Sequence, residues 1–234
     1  MSHDQFELLS NQAVAVCAVA YFLALLAHLV EWSAARSVPA AQSAASSEAA
    51  QTEGGVDVLV HTDVDDDRVE RFARLGVVLT VVAAGVHFVA VASRGLAADP
   101  VRVPWGNMYE FTLTATLMVT LGYLLLYRRF GLAWLSPVVT GFVLVTLMVD
   151  VLLLYTPVVP LRDALQSPWL VIHVVAAIIA TGAFTLGGMC SVLYLVKERW
   201  PDTRKGGYLS RLPDLGGLDR MAYRTQAFAF PVWT

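Results

Sequence analysis

Residues 169–196 read WLVIHVVAAIIATGAFTLGGMCSVLYLV, a run without Asp, Glu, Lys or Arg. A membrane-spanning helix needs about 20 mainly apolar residues, so this run is long enough to cross a bilayer and to tilt within it. Hydrocarbon offers no water to the backbone, and an unbroken apolar run lacks the alternation of a barrel strand. The stretch therefore predicts a transmembrane α-helix.

Four runs of the same kind precede it, and none of the five contains Lys or Arg. The chain is 57% hydrophobic and only 15% charged, whereas soluble domains carry roughly 25% charged residues. The four runs are Ala13 to Val30, Leu75 to Ala92, Phe111 to Tyr127 and Leu132 to Tyr155, and a further run begins at Thr225. We predict an all-α fold, a polytopic transmembrane helical bundle with five complete spans and the start of a sixth.

Basic residues are unevenly distributed between the spans. Thirteen of the sixteen Lys and Arg residues follow spans one, three and five, and the other three are Arg94, Arg102 and Arg162. By the positive-inside rule, this distribution predicts that the N-terminus lies outside the cell. We expect a multi-pass protein of the plasma membrane. The lipid bilayer is the expected surroundings, and no feature calls for nucleic acid.

The chain divides by composition into three parts. Residues 1–32 hold the outer N-terminal segment and the first span, and residues 75–234 hold the remaining spans. Between them, residues 33–74 are rich in Ala, Ser and acidic side chains and have little apolar content. We predict that this segment is a disordered cytoplasmic linker.

The two cysteines, Cys17 and Cys190, lie inside the first and fifth spans. Neither belongs to a CxxC pair or a CxxCH haem-attachment site, so the sequence does not indicate a thiol oxidoreductase or a c-type cytochrome. We expect both thiols to be buried as small apolar groups.

Four ionisable residues lie within the predicted spans, namely His28, His87, Asp150 and His173. Such residues are costly in hydrocarbon, so each is a functional candidate. The last three fall at a similar depth in the outer leaflet, whereas His28 lies near the cytoplasmic end and is expected to reach interfacial water. A hydrogen-bonded packing role is the alternative for each histidine, and Asp150 pairs either with a histidine or with backbone donors.

His173 has the richest surroundings of the four. It follows Ser167-Pro168-Trp169 at the outer interface, where an aromatic anchor is expected. Small residues follow it, and these allow neighbouring helices to approach closely: Ala176, Ala177, Ala180, Gly182, Ala183, Gly187 and Gly188. Such a helix can hold an imidazole beside a flat ligand, and neutral imidazole is a common axial ligand of haem iron.

The outer loop before the third span ends in PWGNMYEF, residues 104–111. Trp105 and Tyr109 are interfacial anchors in one interpretation, with Asn107 capping the third helix. In the other interpretation, Asn107, Tyr109 and Glu110 provide polar groups beside aromatic faces for a porphyrin or a partner peptide.

Three motifs follow one another in the chain: NMYE at 107–110, SPWLVIHVVAAIIATGAF at 167–184, and LDRMAYR at 218–224 followed by Phe230-Pro231. Together they resemble the System II cytochrome c maturation proteins of the CcsA/ResC type, called CcsB in actinobacteria. The resemblance extends from about Leu75 onward. The family's tryptophan-rich WWD loop and second external histidine are expected beyond residue 234.

The resemblance implies a subunit of a cytochrome c haem lyase complex, which binds haem b and presents it to the CxxCH thiols of apocytochrome c. It also implies a ResB/Ccs1-type membrane partner, and a thiol-reducing thioredoxin-like protein, since the iron must be ferrous and the thiols reduced. By the family's pattern His173 is the axial ligand of the haem iron. The other expected haem-binding residues are Trp105, Asn107, Tyr109, Glu110 and Trp169, with His87 as a further candidate.

Two other functions remain open at the level of sequence. In a b-type electron-transfer cytochrome, His87 and His173 would ligate one haem from two helices. In a proton-coupled solute transporter, Asp150 and His87 would relay protons without any haem.

Overall fold

The computed structural model describes the backbone of residues 2–48, 57–160, 167–200 and 208–234. These ranges consist of helices joined by short turns, and no strand occurs in them. The helices are α1 His3–Glu48, α2 Asp57–Leu96, α3 Met108–Phe130, α4 Ser136–Val149, α5 Pro168–Arg199, α6 Tyr208–Arg211 and α7 Leu215–Trp233. A 3₁₀ turn, Leu132–Leu135, precedes α4, and a π-helical turn, Asp150–Leu154, follows it. The predicted all-α fold is confirmed.

Five helical segments are long and apolar enough to cross a membrane: His3–Ser33, Asp67–Leu96, Met108–Phe130, Leu132–Leu154 and Trp169–Arg199. They coincide with the five predicted spans, and the chain is a multi-pass membrane protein. Large apolar side chains point away from the bundle on these segments, as at Leu125 and Leu152, which are 80% and 76% exposed. Helix α7 begins at Leu215, before the apolar run that starts at Thr225.

Much of the predicted linker has helical backbone. Helix α1 continues to Glu48 and α2 begins at Asp57, while residues 49–56 lie outside the described part of the chain. The described backbone on either side of 49–56 is thus helical, and disorder of the linker stays a prediction. Alanine, which is frequent in this segment, has the highest intrinsic helix propensity, and this favours continuation of both helices. The division of the chain into three parts stays a prediction.

The two ends of α3 are defined by local residues. Asn107 has extended backbone, with φ −149° and ψ 173°, and its side chain accepts a hydrogen bond from the Glu110 amide, as expected of an N-cap. At the other end Gly131 has φ 62°, a left-handed conformation that glycine adopts without strain. The chain turns back there, so α4 runs antiparallel to α3.

Helices α1 to α4 pack into a group to which α5 and α7 are added. Helix α1 contacts α2 and α4, while α3 contacts α2, α4 and α5. Helix α7 packs along α5. A Cβ atom at Gly187 of α5 would lie 2.8 Å from the Thr225 hydroxyl oxygen of α7, so the absence of a side chain there permits this packing. The predicted close approach along α5 is confirmed at this glycine.

We call the two ends of the bundle the Glu110 end and the Gly131 end. Helix α5 runs in the same direction as α3, because Gly182 lies opposite Met118 and Leu186 lies opposite Gly122. Its first residues are therefore at the Glu110 end. His173 precedes Gly182 by as many residues as Tyr109 precedes Met118. Because each residue of an α-helix adds the same rise, His173 and Tyr109 lie at about the same depth in the bundle.

Candidate functional site

His173 lies on α5 near the Glu110 end, and its side chain is exposed. Pro168 occupies the first turn of α5, where its missing N–H and fixed φ suit a helix start. Trp169 is 80% exposed and precedes His173 by one helical turn, so the two side chains share one face of α5. His173 forms no hydrogen bond with any described residue. Trp169 and His173 therefore place an exposed aromatic ring beside an imidazole that has no hydrogen bond to the described residues.

The loop residues before α3 have different environments. Trp105 and Asn107 are half-buried, and Asn107 is used as the helix cap. Tyr109 and Glu110 are buried. No hydrogen bond, ion pair or ring contact in the described part of the chain joins any of these four residues to His173. All four were expected to bind haem together with His173, whereas the side chains of Tyr109 and Glu110 are buried in the protein.

Glu110 holds this loop together. One of its carboxylate oxygens accepts hydrogen bonds from Arg102 Nη1 at 2.6 Å and from the Gly106 amide at 2.8 Å. The other oxygen accepts from Arg102 Nη2 at 3.2 Å, which completes a bidentate pair of the strong, directional kind. A Cβ at Gly106 would lie 2.7 Å from Arg102 Nη1, so the glycine gives the guanidinium room.

Arg94 is buried beneath the same loop, with 0% of its surface exposed. Its Nε lies 3.5 Å from a Glu110 oxygen, its Nη1 lies 3.5 Å from a Glu7 oxygen, and its Nη2 donates to the Thr156 carbonyl. The guanidinium carbon also lies 5.0 Å from the ring centroid of Tyr109, within range of a cation–π interaction. We call Glu7, Arg94, Arg102, Tyr109 and Glu110 the Arg94 cluster.

The Arg94 cluster escaped prediction because Arg94 was assigned to an outer loop. Helix α2 continues past Ala92 to Leu96 and thereby carries Arg94 inside the bundle. One sequence signal was available, since a buried arginine needs a carboxylate partner and Glu7 and Glu110 both stand near span ends. The partners are far apart in the chain, so only the packing of α1, α2 and α3 brings them together.

Asp150 is buried at the start of the π-helical turn, and neither carboxylate oxygen has a hydrogen-bond partner among the described residues. Neither of the two expected arrangements, a histidine partner or backbone donors, is found among the described residues. Its carboxyl group interacts electrostatically with the Arg94 guanidinium. Single π-helical turns are frequent at functional positions in helices, and buried carboxyl groups in membrane spans are costly.

His87 is also fully buried, and both ring nitrogens are in use. Nε2 donates to the Leu113 carbonyl at 3.0 Å, and Nδ1 lies 3.3 Å from the Tyr21 hydroxyl. The ring thus ties α2 to α3 and α1. Iron ligation by His87 would require one of these bonds to break, so the geometry does not favour a shared haem between His87 and His173.

His28 is 1% exposed, so the expectation that it reaches interfacial water is wrong. Its Nδ1 lies 3.5 Å from Glu31, and its Nε2 lies 3.5 Å from the Thr80 hydroxyl. A Cβ at Gly76 would lie 2.5 Å from the imidazole ring. The absence of a side chain at Gly76 therefore lets α2 pack directly against His28. This ring fills a space between two helices.

The described residues contain no group of three or more His, Cys, Asp or Glu side chains that could hold a metal ion. Cys17 and Cys190 are free and buried, as expected. The exposed imidazole of His173 remains suited to a single axial bond to iron in a ligand that brings its own equatorial nitrogens.

The model of the cytochrome c assembly protein family matches residues 105–234, which is more than half of the chain. The chain belongs to this family. The matched part begins at Trp105 and contains α3 to α7, so it includes His173, Trp169 and the loop that Glu110 holds. Neither Arg94 nor His87 lies inside it.

Individual relatives of this family also resemble the chain. It is 31% identical over 140 residues to the cytochrome c biogenesis protein CcsA of Trieres chinensis, covering 57% of this chain and 43% of that protein. It is 32% identical to Protein HemX of Brevibacillus brevis over 107 residues, or 45% and 39% of the two chains. The matches thus span less than half the length of these relatives. No solved structure matches the chain.

Proposed function

We propose that this protein acts in cytochrome c maturation, binding haem b as its substrate at the Glu110 end and presenting it to the CxxCH thiols of apocytochrome c. Membership of the cytochrome c assembly protein family supports this proposal. So does the similarity to a protein named as a cytochrome c biogenesis protein. The protein would then be a subunit of a haem lyase complex.

The observation that carries the proposal is the pair of exposed side chains on α5. The His173 imidazole has no described partner, so it can donate a lone pair to iron without giving up an existing bond. Trp169, one turn away and 80% exposed, offers an aromatic face to a porphyrin. Binding there leaves the opposite side of the ligand open to a partner protein.

The Arg94 cluster would act indirectly, by fixing the loop from Arg102 to Asn107. Glu110 and Asn107 hold that loop through the contacts described above, and Trp105 is half-buried at its centre. In this proposal Trp105 contacts the haem, while Asn107, Tyr109 and Glu110 are positioning residues. His87 contributes to packing, because both of its nitrogens are in use.

The proposal includes a location and partners. Thirteen of sixteen basic residues favour an N-terminus outside the cell membrane, and the start of α1 lies at the same end as His173. Haem would thus be held on the outer side. A ResB/Ccs1-type membrane protein would complete the complex, and a thioredoxin-like protein would keep the acceptor thiols reduced.

The test is replacement of His173 in the chromosomal gene. His173→Ala should abolish c-type cytochromes, measured by haem staining of membrane proteins, without lowering the amount of inserted protein. Imidazole added to the medium should restore part of the signal, because it can occupy the vacated axial position. Ile172→Ala is the matched control, since Ile172 is its neighbour and is 61% exposed. Normal staining in His173→Ala cells would overturn the proposal.

Orientation is tested separately by single cysteines in exposed positions at the two ends. Asp99→Cys follows α2 at the Glu110 end, and Asp214→Cys precedes α7 near the Gly131 end. The first should react with an impermeant thiol reagent in intact cells, and the second should react only after permeabilisation. The reverse pattern would put His173 on the cytoplasmic side and contradict presentation of haem outside.

A further inference from the structure

An apolar groove runs between α3, α5 and α7. Its volume is about 860 Å³, and it continues into a cavity of about 180 Å³ nearer the Gly131 end. Leu126, Phe130 and Leu186 line both parts, so the two form one continuous space. This groove is separate from His173 and from the Arg94 cluster.

Two arginines stand where the groove meets the Gly131 end. Arg224 lines both parts and Arg220 lines the smaller one. They are one helical turn apart on α7, so they lie on the same face. Both are exposed, and neither makes a hydrogen bond or ion pair with a described residue. Arg94 and Arg102, by contrast, are both paired with carboxylates inside the bundle.

The length of the groove identifies the kind of ligand that fits it. On α3 its lining extends from Phe130 to Met118, which is roughly 18 Å at about 1.5 Å per residue. One leaflet of the hydrocarbon core is about 15 Å deep, half of about 30 Å. The groove therefore matches the extent of an acyl chain lying in a single leaflet.

We propose that this groove binds an anionic phospholipid of the bilayer, with its phosphate held between Arg220 and Arg224 and an acyl chain lying along α3, α5 and α7. Guanidinium groups bind phosphate oxygens through paired hydrogen bonds. Basic pockets between transmembrane helices are suited to anionic headgroups. No histidine lines the groove, so it offers a porphyrin no imidazole for its iron. The site does not depend on the proposed role in cytochrome c maturation.

The test is lipid binding by the full chain, purified and delipidated in a non-ionic detergent. Native mass spectrometry would measure the dissociation constants of phosphatidylglycerol and phosphatidylcholine. We expect tighter binding of phosphatidylglycerol to the unchanged protein. The double substitution Arg220→Gln/Arg224→Gln should weaken that binding on the order of 30-fold, from about 1 kcal/mol for each basic residue near the headgroups.

Two further variants separate the site from general surface charge. Arg128→Gln/Arg129→Gln removes the same charge near the Gly131 end from residues that do not line the groove, and it should leave phosphatidylglycerol binding unchanged. Ala183→Phe fills the groove while keeping both arginines, and it should weaken phosphatidylglycerol binding severalfold. Size-exclusion chromatography would check that this variant is folded.

Three results would overturn the proposal: equal binding of the two lipids, an equal loss in the Arg128/Arg129 control, or no loss in folded Ala183→Phe. Displacement of phosphatidylglycerol by protoporphyrin, with porphyrin binding lost in the Arg220/Arg224 variant, would instead assign the groove to a porphyrin and would also refute the lipid site.

Discussion

Two groups of polar and aromatic side chains share the Glu110 end, and they differ in what they contact. The Arg94 cluster is buried at its centre, at Arg94, Tyr109 and Glu110, and partly exposed at Glu7 and Arg102. Its charged groups pair with one another and join α1, α2, α3 and the loop before α3. Trp169 and His173 are exposed on α5, with no hydrogen bond to the described residues. The Arg94 cluster is therefore a structural scaffold whose charged groups are already paired. Trp169 and His173 form a surface that can still contact a ligand. The same contrast distinguishes the buried His28 and His87 from His173.

The largest effect on stability is expected from the centre of the scaffold. Glu110→Ala would leave two guanidinium groups without their shared carboxylate, and breaking such a buried pair costs about 3–5 kcal/mol. The free energy of unfolding, measured by SDS titration in mixed micelles, should fall by that amount. Glu7→Ala removes one 3.5 Å contact to Arg94 and a hydrogen bond from the Val158 amide, and the Glu7 carboxylate is already 27% exposed. This substitution should therefore cost less. Equal losses would mean that Glu110 is not the centre of the cluster.

A smaller effect is expected where α2 meets His28. Gly76→Ala would put a Cβ 2.5 Å from the imidazole, and such overpacking costs about 1–3 kcal/mol. Gly85 is the matched control on the same helix, because a Cβ there would have nothing within 4 Å. Gly85→Ala should be neutral or stabilising by up to about 1 kcal/mol. Similar values for the two variants would contradict the described approach of α2 to His28.

The cap of α3 should contribute less again. Asn107→Ala removes the acceptor for the Glu110 amide, at 2.8 Å, and loss of an N-cap costs about 1 kcal/mol. Asn107→Asp keeps an acceptor and should retain most of the stability in the same titration. If the Asn107→Ala protein were as stable as the unchanged protein but bound haem less tightly, Asn107 would be a ligand-contacting residue and not a structural cap.

The smallest effect on stability is expected on the exposed face of α5. Trp169→Ala should change the free energy of unfolding by less than about 0.5 kcal/mol, because the side chain is mostly exposed and buries little surface against the protein. Haem affinity should nevertheless fall up to about tenfold, since an aromatic contact is worth about 0.5–1.5 kcal/mol. Fluorescence-monitored haem titration of the full chain, with Ile172→Ala as control, measures this. A large loss of stability would show Trp169 to be part of the scaffold.

The sequence predicted the features that depend on neighbouring residues. Apolar runs identified five spans, Asn107 was recognised as a possible cap, and the glycines of α5 indicated close helix packing, which occurs at Gly187. The exposure of His173 beside Trp169 agrees with its expected place near the start of the fifth span. Each of these follows from hydropathy, helix geometry or local capping chemistry.

The features that the sequence did not reveal are contacts between distant segments. Arg94 meets Glu7, and His28 meets Gly76, only once α1 and α2 have packed together. Glu110 was interpreted as a ligand-facing carboxylate because its partner Arg102 looked like an ordinary outer-loop residue. Burial of a charge becomes predictable only when its partners are known, and here those partners come from other helices.

The central claim is that His173, rather than a buried histidine, provides the protein's bond to haem iron. The most direct measurement is the absorption spectrum of the purified full chain with ferrous haem, compared between the unchanged protein, His173→Ala and His87→Ala. We predict that His173→Ala alone loses the spectrum of imidazole-ligated iron and regains it when imidazole is added. An unchanged spectrum in His173→Ala, with the loss seen instead in folded His87→Ala, would contradict the account.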